Sequence, residues 1–63
     1  MQTTSRLREL RDRASLSQME LAERAGVSRA TIADLELAKR KPQPKTRRKL
    51  AAALGVEPHE LSD

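Results

Sequence analysis

The chain has 63 residues, 13 basic and 9 acidic side chains for a formal net charge of +4, and no cysteine, phenylalanine, tyrosine or tryptophan. This length predicts one small domain, residues 1–63, without disulfide bonds, and the missing aromatic side chains argue against modules that bind RNA or single-stranded DNA by base stacking. No apolar run approaches the roughly 20 residues of a membrane span, and the N-terminal residues lack the apolar centre of a secretory signal, so a soluble cytoplasmic protein is expected. The abundance of Leu, Ala, Glu, Lys and Arg predicts an all-α fold.

The first predicted helix covers residues 5–14. Leu7 and Leu10 recur at helical spacing, and Thr3 or Thr4 is the expected N-terminal cap. This helix is therefore expected to pack a leucine stripe against the rest of the domain.

The segment 17–36 predicts two short helices with a tight corner between them. Ser17 and Glu20 have the spacing of a capping box, in which each side chain accepts from the other residue's backbone N–H, and Gly26 suits the left-handed residue that ends a helix. Ser28 then suits the cap of the next helix. Two helices joined this closely must cross steeply, which is the layout of a helix-turn-helix that reads DNA.

Basic residues are concentrated after the third predicted helix. Seven of the thirteen fall in a block that contains no acid: Lys39, Arg40, Lys41, Lys45, Arg47, Arg48 and Lys49. The formal charge is therefore +7 in this block and −3 over the rest of the chain. A positive block beside a candidate reading helix is typical of phosphate contacts, which gain affinity from counterion release. The alternative interpretation is a solvated face that keeps a small protein soluble.

Two further helices complete the predicted scaffold. The fourth covers about residues 44–54, because Pro44 suits a first helical position and Gly55 suits a terminator. Pro58 likewise predicts a short fifth helix that runs to about Leu61 and folds back over the core.

Four segments follow one another with a characteristic order and spacing: LRELRDRA, LSQMELAERAGVSRATIADLE, AKRKP and TRRKLAAALGVEPHEL. Together they resemble the lambda Cro/repressor-like, or XRE-type, helix-turn-helix family over nearly the whole chain. The resemblance implies a compact five-helix lambda-repressor-like domain, whose second helix lies across the DNA backbone and whose third helix enters the major groove. It also implies a bacterial, phage or plasmid origin.

The resemblance indicates which residues contact DNA. The positions that match base contacts are Arg29, Ala30, Thr31 and Asp34. The positions expected at phosphates are Ser17, Gln18, Ser28, Lys39, Arg40, Lys41 and Lys45. Arg29 has the fork of donors that guanine accepts, whereas Asp34 either accepts from cytosine or pairs with Arg29. Gln18 is also expected to brace the first residue of the reading helix.

Arg11 and Glu36 match positions that often form a structural ion pair in this family. Both lie on otherwise inward-facing stripes, where an unpaired charge would be costly, so a mutual pair is expected. Three residues depart from the family pattern. Ala38 and Ser15 replace glycines, so Ala38 must either take a left-handed conformation or let the reading helix continue. Arg47 replaces an apolar residue of the fourth helix, and its stem is expected to cover the core.

These assignments favour a sequence-specific transcriptional repressor that binds a short palindrome in double-stranded DNA as a homodimer. Two alternatives stay open: the antitoxin of a toxin–antitoxin pair, with a toxin as its partner, and a protein-binding adaptor that keeps the fold without reading DNA. Leu37 together with residues 56–61 is a candidate subunit contact. No enzymatic activity, metal or cofactor is expected, because the single histidine, His59, has no cysteine or ligand spacing around it.

Overall fold

The computed structural model describes residues 5–61 of the chain. Its elements, in chain order, are α1 (Arg6–Arg13), α2 (Gln18–Ala25), α3 (Arg29–Glu36), α4 (Pro44–Leu54) and a 3₁₀ turn (Pro58–Leu61). No strand occurs within residues 5–61, and the all-α prediction is confirmed. The predicted fifth α-helix is corrected to a 3₁₀ turn, because four residues suit the tighter i to i+3 hydrogen-bond pattern of a short terminal piece.

The first helix begins one residue later than predicted and has a different cap. Ser5 Oγ accepts a hydrogen bond from the backbone N–H of Arg8 at 3.1 Å. A capping side chain reaches only the N–H groups two or three residues ahead, so a helix that begins at Arg6 is capped by Ser5. The caps predicted at Thr3 or Thr4 lie outside the described residues. After α1 the chain turns through Ser15, whose φ is 58°.

The two central helices have the predicted caps. Ser17 Oγ accepts from the Glu20 backbone N–H at 3.0 Å, and Glu20 Oε1 accepts from the Ser17 backbone N–H at 2.9 Å, which completes a capping box. These hydrogen bonds with Ser17 hold the pKa of the Glu20 carboxyl below its usual value. Gly26 ends α2 with a φ of 71°, and Ser28 caps α3 by accepting from the Thr31 N–H at 3.1 Å. The short corner between α2 and α3 therefore follows from local backbone chemistry.

A small aliphatic core holds the helices together. Its buried side chains are Leu7, Leu10, Leu16, Leu21, Ala22, Ala25, Ile32, Leu35, Leu50, Ala51 and Leu61. The largest fully buried members are Leu21 of α2, Ile32 of α3 and Leu50 of α4. The 3₁₀ turn adds Leu61 to this core and is tied to α1 by Arg6 Nε, which donates to the Glu60 carbonyl at 3.2 Å. In the described part of the chain, no helix is long and apolar enough to cross a membrane.

Ala38 determines how α3 ends. Its φ is 58°, so the backbone is left-handed and α3 ends at Glu36 rather than running on. The Ala38 N–H donates to the Leu35 carbonyl at 3.1 Å, and the Lys39 N–H donates to the Asp34 carbonyl at 3.0 Å. These bonds satisfy carbonyls at the end of the helix and reverse the chain direction. A residue with a Cβ pays roughly 1–2 kcal/mol for this conformation.

We expect Ala38→Gly to stabilise the fold by about 0.5–1 kcal/mol, because relief of the left-handed strain exceeds the extra entropy that glycine has in the unfolded chain. Urea denaturation measures this as a higher midpoint with an unchanged slope. The matched control is Ala52→Gly, since Ala52 is exposed within α4 and glycine there should cost about 1 kcal/mol. Equal losses in the two variants would show that position 38 is not strained.

Candidate nucleic-acid interface

The residues predicted to contact bases lie on the solvent side of α3. Arg29 and Ala30 are exposed in the first turn, and Thr31 and Asp34 are half-buried beside them. Ile32 is fully buried, so the opposite side of α3 packs into the core. An exposed guanidinium and a methyl group at the N-terminal end of a helix can approach base edges without first breaking internal contacts. The geometry of α3 is therefore that of a supported helix with an open first turn.

Asp34 does not pair with Arg29. No ion pair or hydrogen bond joins the two side chains among residues 5–61, because residues five positions apart on a helix do not share a face. The described residues also contain no group of three His, Cys, Asp or Glu side chains that could hold a metal ion. Of the two roles considered for Asp34, acceptance of a hydrogen bond from cytosine is the one that stays a prediction.

Three polar side chains form a chain of hydrogen bonds across the start of α3. Thr31 Oγ1 lies 2.8 Å from Ser28 Oγ, and Arg40 Nη2 donates to the same threonine oxygen at 3.2 Å. Arg40 belongs to the loop after α3 and is nine residues further along the chain than Thr31. The sequence does not predict the contact between Arg40 and Thr31, because this contact depends on the turn at Ala38 and not on a local pattern of residues.

A basic loop and the start of α4 form the neighbouring surface. The predicted phosphate contacts in this region are all exposed: Lys39, Arg40, Lys41 and Lys45. A hollow of about 450 Å³ lies between this loop and α3, and its lining includes Thr31, Gln43 and Thr46. Gln43 precedes α4 but makes no capping hydrogen bond with its side chain. Positive charge and open N–H donors suit the oxygens of a DNA backbone.

A bidentate ion pair ties α1 to the end of α3. Arg11 Nε donates to Glu36 Oε2 at 2.6 Å, and Arg11 Nη2 donates to Glu36 Oε1 at 3.1 Å. Arg11 Nη1 also donates to the Leu16 carbonyl at 2.8 Å, and the Arg11 and Glu36 side chains are only 12% and 5% exposed. Burial acts to raise the pKa of the Glu36 carboxyl, but the hydrogen bonds from Arg11 and Gln18 outweigh it, so this pKa lies below its usual value. The pair fixes the end of α3 against α1.

Gln18 joins this ion pair rather than the start of the reading helix. Its Nε2 donates to Glu36 Oε1 at 3.1 Å, which links the first residue of α2 to the last residue of α3. The expectation that Gln18 braces the first residue of α3 is therefore corrected. A carboxylate is a stronger acceptor than the neutral groups at the helix start, which explains the choice of partner. The amide has a second N–H, so a phosphate contact by Gln18 is compatible with this bond. Ser17 and Ser28, also predicted at phosphates, are exposed.

Comparison with known proteins places this geometry in context. The model of a family described as helix-turn-helix matches residues 7–61 of the chain. Among solved structures, the chain is similar to the restriction-modification controller protein C.AhdI from Aeromonas hydrophila, with 43% sequence identity. The TM-score is 0.84, and the match covers 89% of this chain and 85% of that chain. No match was found among curated proteins. The resemblance drawn from the sequence is confirmed.

Proposed function

Since the chain belongs to the XRE-type helix-turn-helix family of DNA-binding transcription regulators, we propose that it is a repressor that binds a short palindromic operator as a homodimer. The observation that carries this proposal is the position of the open first turn of α3 beside the basic loop that contains Lys39, Arg40 and Lys41. The helix offers groups for base edges, and the loop offers charge and donors for phosphates. Both kinds of contact are needed for sequence-specific binding.

The dimensions of an α-helix suit the major groove. A helix with its side chains is about 10–12 Å in diameter, which matches the width of that groove, and α3 has eight residues. Placed with its N-terminal end foremost, it brings Arg29 and Ala30 to only a few base pairs. One such domain buries too little surface to specify a site alone, so a second copy must read an adjacent half-site. We expect the half-sites to be about 34 Å apart, one turn of the duplex.

Leu37 is the principal apolar candidate for the subunit contact. It lies directly after α3 and, at 66% exposed, is the most exposed large apolar side chain among the described residues. Leu61 is buried in its own core, so it is not free to contribute to a second subunit, and Val56 is already half-buried. The contact proposed for Leu37 and residues 56–61 therefore rests mainly on Leu37.

The similarity to a restriction-modification controller supports a proposal about the genes under control. We propose that the operator lies beside genes of a restriction–modification system. A transcriptional reporter placed behind such a promoter should lose expression when this chain is supplied. Unchanged expression would contradict the proposed repression, while increased expression would assign the chain as an activator.

Selection of bound duplexes from a random pool tests the DNA-binding proposal most directly. The expected result is an enriched palindrome, which reports the site, its symmetry and the half-site spacing together. Sedimentation of the protein–DNA complex should give two chains per duplex. Recovery of no preferred sequence, with an affinity for duplex that does not change with salt, would favour the protein-binding adaptor instead.

Two substitutions separate base reading from phosphate binding. Arg29→Ala should relax the preference at one base position, with a loss of about 1–3 kcal/mol of discrimination, because a bidentate contact with guanine is removed. Lys41→Ala should weaken binding to all duplexes alike and lower the salt slope by about one unit. Binding curves on the selected site and on single-base variants measure both effects. A uniform loss in both variants would remove Arg29 from the base-reading set.

A further inference from the structure

The contact between Arg40 and Thr31 crosses from the basic loop to the reading helix. Arg40 Nη2 donates to Thr31 Oγ1 at 3.2 Å, and both side chains are accessible to solvent. The left-handed backbone at Ala38 turns the loop so that Arg40 comes back to the first turn of α3. A long, rotamer-rich side chain on an exposed loop is thus held in one direction by the helix that it follows.

The chain of hydrogen bonds leaves several donors unused. The guanidinium of Arg40 has five N–H groups in a fixed fork, and the hydrogen bond to Thr31 uses one of them. Thr31 and Ser28 have two hydroxyl hydrogens between them, and their mutual bond uses one, whichever atom is the donor. The second hydroxyl hydrogen and the four remaining N–H groups of Arg40 are therefore available as donors to a ligand, beside a single hydroxyl lone pair that can accept. A set made mostly of donors suits the oxygens of a phosphate group.

We propose that Thr31 is a positioning residue, which orients Arg40 to bind one backbone phosphate of the DNA through two N–H donors. This inference rests on the proposed function, because it assigns a role within the DNA-binding face. It also replaces the sequence-based expectation that Thr31 reads a base. Its energetic basis is the entropy of Arg40: a side chain already held in the bound direction loses less conformational freedom when the phosphate arrives.

Thr31→Val removes the acceptor for Arg40 and keeps the shape of the side chain. The Ser28 cap is retained in this variant, because Ser28 Oγ accepts from the backbone N–H of residue 31. Fluorescence anisotropy with a labelled duplex of arbitrary sequence measures the affinity of this variant for DNA. We expect the affinity to fall about three- to tenfold, which is the cost of immobilising one long side chain on binding. The dependence of log affinity on log salt should keep its slope, since no charge has changed. Thr31→Ser should bind within about twofold of the parent, because it keeps the hydroxyl.

A double-mutant cycle with Arg40→Lys shows whether Thr31 acts through Arg40. Lysine keeps the charge but has no planar fork that could hold Thr31 and a phosphate at once. In the Arg40→Lys background, Thr31→Val should change the affinity for duplex by less than about twofold. The coupling between the two residues is the difference between the effect of Thr31→Val in this background and its effect in the parent protein. An equal loss in both backgrounds would mean that Thr31 contacts DNA itself. No loss in either background would mean that the contact does not orient Arg40. Either result overturns the proposal.

The free protein provides a readout that does not depend on DNA. In parent protein labelled with ¹⁵N, the heteronuclear NOE of the Arg40 Nε–H should be high, because a guanidinium held by Thr31 moves less. This NOE should fall in Thr31→Val, which lacks the hydroxyl acceptor, and should stay high in Thr31→Ser, which keeps it. An NOE that is equally low in all three proteins would overturn the positioning role. If the parent protein shows no salt-dependent affinity for duplex, the proposed function is wrong. The proposed binding of Arg40 to a DNA phosphate then fails with it, whatever value the NOE has.

Discussion

Replacement of Leu21 by alanine is expected to remove most of the free energy of unfolding, so that a substantial fraction of the protein is unfolded at room temperature. Leu21 has no exposed surface and is one of the three largest fully buried side chains, and α2, which carries it, packs against both α3 and α4. A buried leucine truncated to alanine typically costs about 2–5 kcal/mol, while a domain of this size has a total stability of roughly 3–5 kcal/mol. Far-UV circular dichroism should show the loss of helix, and binding to duplex should weaken with it because unfolded molecules do not present α3.

The matched control for this loss lies two residues earlier on the same helix. Met19 is 53% exposed, so Met19→Ala should change the free energy of unfolding by less than about 0.5 kcal/mol. A graded variant, Ile32→Val, should cost about 0.5–1.5 kcal/mol and remain folded, which allows a full urea titration. Similar melting curves for Leu21→Ala and Met19→Ala would contradict the assignment of Leu21 to the centre of the core.

Features that depend on a few neighbouring residues could be predicted from the sequence. The capping box of Ser17 and Glu20 and the left-handed Gly26 involve hydrogen bonds within one helical turn, so their spacing in the chain determines them. The cap of α1 was misplaced because three candidates, Thr3, Thr4 and Ser5, stand side by side, and only the register of the first turn selects among them.

Features that depend on how distant segments meet could not be predicted in the same way. Leu16 is a buried core residue that lies between α1 and α2, and a lone apolar residue in a connection has no periodicity to indicate burial. Glu36 accepts from both Arg11 and Gln18 because the fold brings α1, α2 and the end of α3 to one point. At the candidate interface, the set of DNA-contacting residues stays a prediction from the sequence, whereas the contact between Thr31 and Arg40 depends on the turn after α3.

Removal of the Glu36 carboxylate is expected to cost about 3 kcal/mol, because Glu36→Ala leaves the buried Arg11 guanidinium with only the exposed Asp12 carboxylate, 3.4 Å from Arg11 Nη1, as a counter-ion. Arg11 and Glu36 are nearly inaccessible, and the Glu36 carboxylate also accepts from Gln18. For a domain of this length, such a loss should lower the melting temperature by more than about 10 °C. Thermal denaturation followed by circular dichroism at neutral pH measures the effect.

The partly exposed ion pair between Arg6 and Glu9 supplies the control. Its side chains are 32% and 41% exposed, so solvent screens the attraction and Glu9→Ala should cost less than about 1 kcal/mol. A melting temperature for Glu36→Ala within a degree or two of the Glu9→Ala value would mean that the α1–α3 bridge contributes little. The double variant Arg11→Met with Glu36→Met should recover much of the loss, because no uncompensated charge is then buried.

The pH dependence of stability identifies the charge of Glu36 as the cause. Its pKa is lower in the folded protein than in the unfolded chain, so the ionised carboxylate stabilises the fold above the unfolded pKa. This contribution is lost as the pH falls through the folded pKa, where the carboxylate accepts a proton and Arg11 loses its partner. The stability difference between the parent and Glu36→Ala should therefore be largest near neutral pH and shrink in acid. A difference that stays constant with pH would mean that Glu36 stabilises the fold through packing and not through its charge.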